Sequence, residues 1–379
     1  MGSKLSRSDV RLLVAGALGT AGSAVTRYVH TGRVVPFIVS AFALGLLAAI
    51  VGRSVDRLGD RLGSGMTGVV QSALGNLPEL FFGIFALRAG LVGVVQAALI
   101  GSILANLLLV LGLAFIVGGL RHGTQRFPAE NARMIMVLLV LAVSVLMIPT
   151  LGVHLDLAVR HHEAALSDIA AVVLLIVFVL SVPGSVRREA RPSPEDVAAG
   201  NEPGTDESSR REHPGEQSDE AGATVAAWSI SLVVVALLAS SVAAAFVSDW
   251  FVVALSPALS ALHMSEAFAG LVVVAIAGNA VENVVGVQLA ARNRSDYALS
   301  VILQSPVQIA LVLIPALVLL SGVIGGAQLT LVLSPLLGVV LALTTLIAAF
   351  VVLDGESTWL EGACLVGLYV VIAASFWWG

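Results

Sequence analysis

The sequence predicts an all-α membrane protein of about eleven transmembrane helices, with one extra N-terminal helix followed by two inverted five-helix repeats. Three observations predict this class. Hydrophobic residues make up 58% of the 379-residue chain and charged residues only 12%, where soluble domains carry about 25% charged residues. Mean hydropathy is +0.97, a balance that suits lipid and not water as the surrounding solvent. The apolar residues also fall in runs of spanning length, and one polar motif occurs twice at a constant offset.

A bilayer core of about 30 Å needs roughly 20 apolar residues per helix. Runs of that kind lie at 12–29, 34–52, 66–88, 92–119, 131–150, 164–183, 224–248, 265–291, 297–322, 326–351 and 357–378. The first is poor in large residues, being built mainly of Gly and Ala. Met1 to Arg11 is short and basic, and the apolar run after it lacks a convincing small-residue cleavage site, so it reads as a retained helix and not a signal peptide. Trp250 to Met264 is apolar but short, and reads as an interfacial or re-entrant piece. The single cysteine, Cys364, lies inside an apolar run and excludes an intrachain disulfide.

Orientation follows from Lys and Arg, which concentrate on the cytoplasmic side. With eleven spans, sixteen of these residues fall on the N-terminal side, among them Lys4, Arg7, Arg53, Arg57, Arg121, Arg133, Arg187, Arg292 and Arg294. Only Arg27, Arg33, Arg88 and Arg160 fall on the other. The N-terminus is therefore expected in the cytoplasm and the C-terminus outside. Between Arg187 and Glu220 the chain is polar, rich in Pro and Gly, and without apolar periodicity, which reads as a disordered cytoplasmic tether. Four regions result: 1–33 with the extra helix, 34–184 as the first repeat, 185–222 as an acidic linker, and 223–379 as the second repeat.

The halves on either side of the linker resemble each other. GNLPELFFGIFALRAG (Gly75 to Gly90) and GSILANLLLVLG (Gly101 to Gly112) match GNAVENVVGVQLAARN (Gly278 to Asn293) and QSPVQIALVLIP (Gln304 to Pro315). Gly75, Asn76, Glu79 and Ser102 align without a gap on Gly278, Asn279, Glu282 and Ser305. The first motif enters its helix from the cytoplasmic side and the second from outside. The repeats are therefore antiparallel, as in secondary transporters whose site lies at the midplane.

A carboxylate inside a span costs several kcal/mol, and such residues usually mark ion or proton pathways. Glu79 and Glu282 alone fall well inside predicted helices, while Asp168, Glu266, Asp296 and Glu361 lie near span ends. Two unrelated glutamates tying helices together would not need the shared GN-x-x-E context. Gly75 and Pro78 weaken the helix before Glu79, freeing carbonyl oxygens. Asn76 shares a helix face with Glu79, and Asn279 with Glu282, at i, i+3. Ser102 with Asn106, and Ser305 with Gln308, share faces in the following helices. Carboxylate, amide, hydroxyl and carbonyl oxygens suit a hard cation such as Ca²⁺, and the absence of thiolate or imidazole from the set argues against copper or a thiolate zinc site. Two nearby carboxylates repel, which favours a proton on one of them, while a divalent cation between them favours the charged form. Metal and protons then compete for one site.

At these residues the chain resembles the Ca²⁺/H⁺ antiporter (cation exchanger) family of the calcium:cation antiporter superfamily. GNLPELFFGIFALRAG with VVQAALIGSILANLLLVLG, and GNAVENVVG with SPVQI, carry the resemblance, which extends over nearly the whole chain. It implies a secondary active antiporter that moves Ca²⁺ against H⁺ across a prokaryotic plasma (inner) membrane. Glu79 and Glu282 would bind the cation and couple protons, and Asn76, Asn279, Ser102, Ser305, Gln308 and, less directly, Asn106 would assist. It implies no cofactor, Ca²⁺ being the substrate, and no partner beyond the lipid bilayer and the two ions, nucleic acid included. The second motif departs from the family's usual Glu-His pair, since Asn283 follows Glu282. Gln304 stands where Gly is usual, Pro306 follows Ser305, and Pro78 is like the Na⁺/Ca²⁺ branch. These departures bear on the coupling ion and on metal selectivity.

Other classes fit less well. No HExxH, GxSxG or GxxxxGK[ST] motif occurs and no GxGxxG follows a strand-like run, so neither hydrolysis nor nucleotide use is signalled. His161, His162 and Glu163, with His154 and Asp156, form a possible metal cluster that reads better as a solvated loop. A cation channel could use the same carboxylates, and a scaffold would not need them.

Overall fold

The computed structural model describes residues 6–29, 31–62, 74–189 and 228–377. Within them nearly all secondary structure is helical. In chain order the helices are α1 Arg7–Tyr28, α2 Val35–Leu62 and α3 Leu77–Arg88. Next come α4 Val92–His122, α5 Ala129–His154, α6 Glu163–Glu189 and α7 Ile230–Leu262. The last five are α8 Glu266–Gly278, α9 Ala280–Ala291, α10 Ser295–Ile324, α11 Pro335–Val352 and α12 Trp359–Trp377. One short antiparallel ladder joins β1 (Gln125–Arg126) to β2 (Glu356–Ser357), with Gln125 opposite Ser357.

Eight helices among the described residues are long and apolar enough to cross a membrane, or nine when α8 and α9 count as one broken span. The helix α1 matches the weak first run, its Gly and Ala content keeping it below that threshold. Part of the run expected at 66–88 lies outside the described residues. So does most of the linker expected at 185–222, although α6 carries its beginning on to Glu189.

Two expectations are corrected. Trp250 to Met264 is not a separate interfacial or re-entrant piece, because α7 continues unbroken to Leu262 over 33 residues. Its buried stripe, Val233, Leu237, Ser240, Ala244, Val247, Phe251, Leu255 and Ala258, keeps the helical spacing of three to four residues through Asp249. Pro257 is accommodated inside the helix. The run expected at 326–351 is helical only from Pro335. Gly325 and Gly326, at φ +77° and +109°, turn the chain into the left-handed region. From there to Ser334 it is non-helical, with Leu329, Leu331 and Leu333 buried alternately.

Backbone without helical bonds is tolerated at membrane depth only where protein satisfies it. Around residues 327–333 the neighbours do so. Leu329 N–H donates to Ser321 Oγ, Leu331 N–H to Ser167 Oγ and Leu333 N–H to Thr150 Oγ1, at 3.0, 3.0 and 3.1 Å. Thr150 Oγ1 donates to Leu331 O at 2.9 Å, and Gln96 Nε2 donates to Thr330 O and Val332 O, each at 3.0 Å.

The core centres on α4 and α10, whose spans are 78% and 61% buried against 22% for the α6 span. Helix α4 meets α8 backbone to backbone: a Cβ on Gly101 would stand 2.4 Å from Leu271 Cα, and one on Gly270 2.5 Å from Val94 O. Gly112 of α4 and Gly362 of α12 make a second such crossing, each Cβ position falling within 2.7 Å of the other's carbonyl oxygen. Small residues permit these approaches in lipid, where close van der Waals contact drives association. Helices α2 and α7 pack along each other, and α1 lies against α2.

Candidate functional site

The site is assembled where helices start and where they loosen. Asn76 precedes α3 with φ −94°, ψ 20°, and Asn279 lies between α8 and α9 with φ −93°, ψ 24°. Neither angle pair is helical, and the two axes, Glu266–Gly278 and Asn283–Ala291, meet at 61°. Pro78 sits in the first turn of α3, where its missing N–H costs nothing. Glu79 stands in that same first turn, and Glu282 is the third residue of α9. The unpaired N–H groups and dipole of a helix start favour negative charge. The side chain of Glu282 lies outside the described residues.

Helices α4 and α10 supply the facing groups, and each carries a π-helical turn there, Ala105–Val110 in α4 and Ile309–Leu313 in α10. Such turns misalign the backbone ladder and recur at functional sites. Ser102 leads into the first and Asn106 lies within it, Ser305 and Gln308 lead into the second, and all four are buried.

Asn106 is the hub. Its Nδ2 donates to Ser102 O at 2.9 Å, to Asn279 Oδ1 at 3.0 Å and to Ser305 Oγ at 3.3 Å. Ser305 Oγ donates to Asn279 Oδ1 at 3.1 Å, and Asn279 Nδ2 donates to Ala275 O at 2.8 Å. One network therefore joins α4, α10 and the α8–α9 break. Glu79 approaches the same break from α3, since a Cβ on Gly278 would stand 2.6 Å from Glu79 Oε1. Buried polar atoms usually find partners, yet Asn106 Oδ1 and Asn76 Nδ2 are buried with none in this structure.

Of the residues expected from the sequence, Ser102, Asn106, Asn279 and Ser305 come together directly, and Glu79 comes up against Gly278, the residue before Asn279. Asn76 and Gln308 are buried, with no hydrogen bond that ties either to the network. Sequence reasoning ranked Asn106 below the others and missed Gly278 as the seat of Glu79. The i, i+4 spacing of Ser102 and Asn106 was the available signal for the first, and the repeated Gly-Asn pair for the second. Among the described residues no group of three His, Cys, Asp or Glu is placed to hold a metal ion, the cluster around His161 and His162 included. Asp156 is instead paired with Arg160.

The model of the sodium/calcium exchanger protein family matches residues 33–186 and 222–378. The chain belongs to that family. Residues 1–32, with all of α1, and the stretch 187–221 fall outside the match. This exchanger-family chain is 32% identical over 355 residues to the Ca²⁺/H⁺ antiporter of Aphanothece halophytica, covering 93% of each chain. It is 30% identical over 362 residues to the Ca²⁺/H⁺ antiporter ChaA of Bacillus subtilis, covering 95% of this chain and 97% of that one. Among solved structures, the Ca²⁺/H⁺ antiporter YfkE superposes with a TM-score of 0.77 at 27% identity, over 97% of this chain and 99% of that one.

Proposed function

We propose that the chain is a secondary active antiporter exchanging Ca²⁺ for H⁺ by alternating access at a site near the bilayer midplane. The observation that carries this reading is similarity over more than nine-tenths of both chains to relatives named Ca²⁺/H⁺ antiporters. Glu79 and Glu282 bind the cation, and Asn76, Asn279, Ser102, Asn106, Ser305 and Gln308 supply or position oxygens around it. Ca²⁺ takes six to eight oxygens in a flexible shell, and the partnerless Asn106 Oδ1 is available to such a shell. When Ca²⁺ leaves, repulsion between the carboxylates favours a proton on one of them. Protons and Ca²⁺ thus occupy the site alternately, which couples their movements.

Two inverted five-helix repeats after an extra helix, eleven spans in all, form the scaffold of this reading. It is supported by the near-identical backbone angles at Asn76 and Asn279 and by the π-helical turns of α4 and α10 at matching positions. Eleven spans consist of the eight long apolar helices, the broken pair α8–α9, α1, and the run at 66–88. The charge bias supports a cytoplasmic N-terminus in a plasma membrane.

Ca²⁺ uptake by proteoliposomes under separately imposed H⁺ and Na⁺ gradients tests the function. Uptake is expected to follow the proton gradient. Asn283 in place of a titratable histidine favours a second reading, Na⁺/Ca²⁺ exchange, and uptake that needs Na⁺ and ignores the proton gradient would establish it. Uptake without any counter-flow would mean a channel.

A further inference from the structure

Where α1 ends and α2 begins, the chain walls a cavity of about 360 Å³ against the second half of α7. That volume lies in the range of small-molecule sites. The family match begins at residue 33, so Ser23, Arg27 and Thr31 stand outside it, and none of the residues of the transport site lines the cavity. Two arginines, Arg27 and Arg33, line it together with Ser23, Thr31, Ser40 and Trp250. Among the described residues no acidic side chain does. Among the described residues neither arginine has a carboxylate within ion-pair distance.

These are two of the four arginines on the side where the chain carries few cations, and of the other two Arg160 already has its partner in Asp156. The hydroxyls give the independent observation. Ser23 is 0% exposed, yet its Oγ has no hydrogen-bond partner, and Thr31 Oγ1 is likewise buried and partnerless. Such atoms are few in native structures and call for a partner, which an occupant of this cavity would supply.

Guanidinium groups with hydroxyl donors and no competing carboxylate recognise phosphate oxygens, to which arginine binds bidentately. Trp250 and the exposed Tyr28, over which Arg27 lies at 5.9 Å, are residue types that gather at headgroup level. Val29 and Val253 are among the apolar residues of the wall, and Leu18 and Val25 of α1 are exposed where acyl chains would run. We propose that this cavity binds a phosphate, that of an anionic phospholipid headgroup held between α1 and α7. A free phosphate shares the chemistry, and the two sources are separable.

The test compares full-length protein in nanodiscs of phosphatidylcholine with and without phosphatidylglycerol, reading retained lipid by native mass spectrometry and the unfolding temperature. Phosphatidylglycerol should be retained selectively and should raise the unfolding temperature. Retention should fall about fivefold for each arginine removed in Arg27→Gln and Arg33→Gln. Ser23→Ala, which leaves the charge unchanged, should also lower it, whereas Arg160→Gln should not. An equal effect from millimolar inorganic phosphate, lost in the same variants, would support the site with a soluble ligand. If either arginine variant does not fold in phosphatidylcholine, the other and Ser23→Ala decide. Retention without preference over phosphatidylcholine, or the same in wild type and the arginine variants, overturns the proposal.

Discussion

A methyl group on Gly278 would stand 2.6 Å from Glu79 Oε1, so the carboxylate of α3 rests where a glycine leaves the α8–α9 break open. A carboxylate can swing aside cheaply, so Gly278→Ala should fold normally. It should nevertheless raise the Ca²⁺ concentration for half-maximal transport about tenfold, the scale of one charge-assisted contact displaced; equilibrium ⁴⁵Ca²⁺ binding and flux measure both aspects. Glu79→Gln and Glu282→Gln keep the shape and remove charge from the cation shell. Each should nearly abolish Ca²⁺ flux at unchanged expression and gel-filtration profile, and normal flux by Glu282→Gln would defeat the two-glutamate site. Asn283, whose Oδ1 is buried without a partner, stands where a histidine would titrate near neutral pH. Asn283→His should therefore alter the pH profile of Ca²⁺ uptake more than its Ca²⁺ dependence. These residues were largely legible beforehand because a carboxylate in an apolar run is costly enough to need a purpose. The partnership of Asn106 with Asn279 and Ser305 was not legible, since it joins positions 173 and 199 residues apart.

At the scale of elements, the non-helical stretch before α11 shows how a hydrophobic run can fail to be a helix. Leu329, Leu331 and Leu333 alternate with less buried neighbours, the period of extended chain, and two glycines precede them. A hydropathy window averages over that pattern and reads one span. The segment persists because helices bring Thr150, Ser167, Ser321 and Gln96 to its backbone. Thr150 both donates to Leu331 O and accepts from Leu333 N–H. Thr150→Val keeps the volume but strands a buried carbonyl and a buried N–H, which should cost about 1–3 kcal/mol. The unfolding temperature in detergent should fall accordingly, while Ser144→Val, at an exposed position of the same helix, should leave it nearly unchanged.

At the scale of the whole molecule, α1 lies outside the family match yet is tied into the bundle near its start. Near its start Asp9, only 4% exposed, accepts from Arg53 of α2 at 2.9 Å and from Trp228 Nε1, just before α7, at 3.0 Å. Burial by itself would raise the Asp9 carboxyl, but hydrogen bonds from Ser6 and Trp228 and the Arg53 charge outweigh it and hold the group below its ordinary 3.8. A depressed carboxyl contributes stability that is fully present above the ordinary value and is lost as pH falls through the lower, folded one. Asp9→Asn should therefore lower the unfolding temperature at neutral pH. The gap between variant and wild type should close only in strong acid, below about 3.8, as thermal scans across pH would show.

The sequence by itself determined the membrane class, most of the spans and the residues of the two glutamate motifs. Those properties follow from composition, from run length against bilayer thickness, and from the cost of charge in hydrocarbon. Only the tertiary structure decided that Asn106 links the two halves, that Gly278 makes room for Glu79, that α7 runs on to Leu262, and that residues 325–334 are non-helical. Each of these depends on which distant groups satisfy a backbone or a side chain in the absence of water, and that pairing is fixed by how the helices pack.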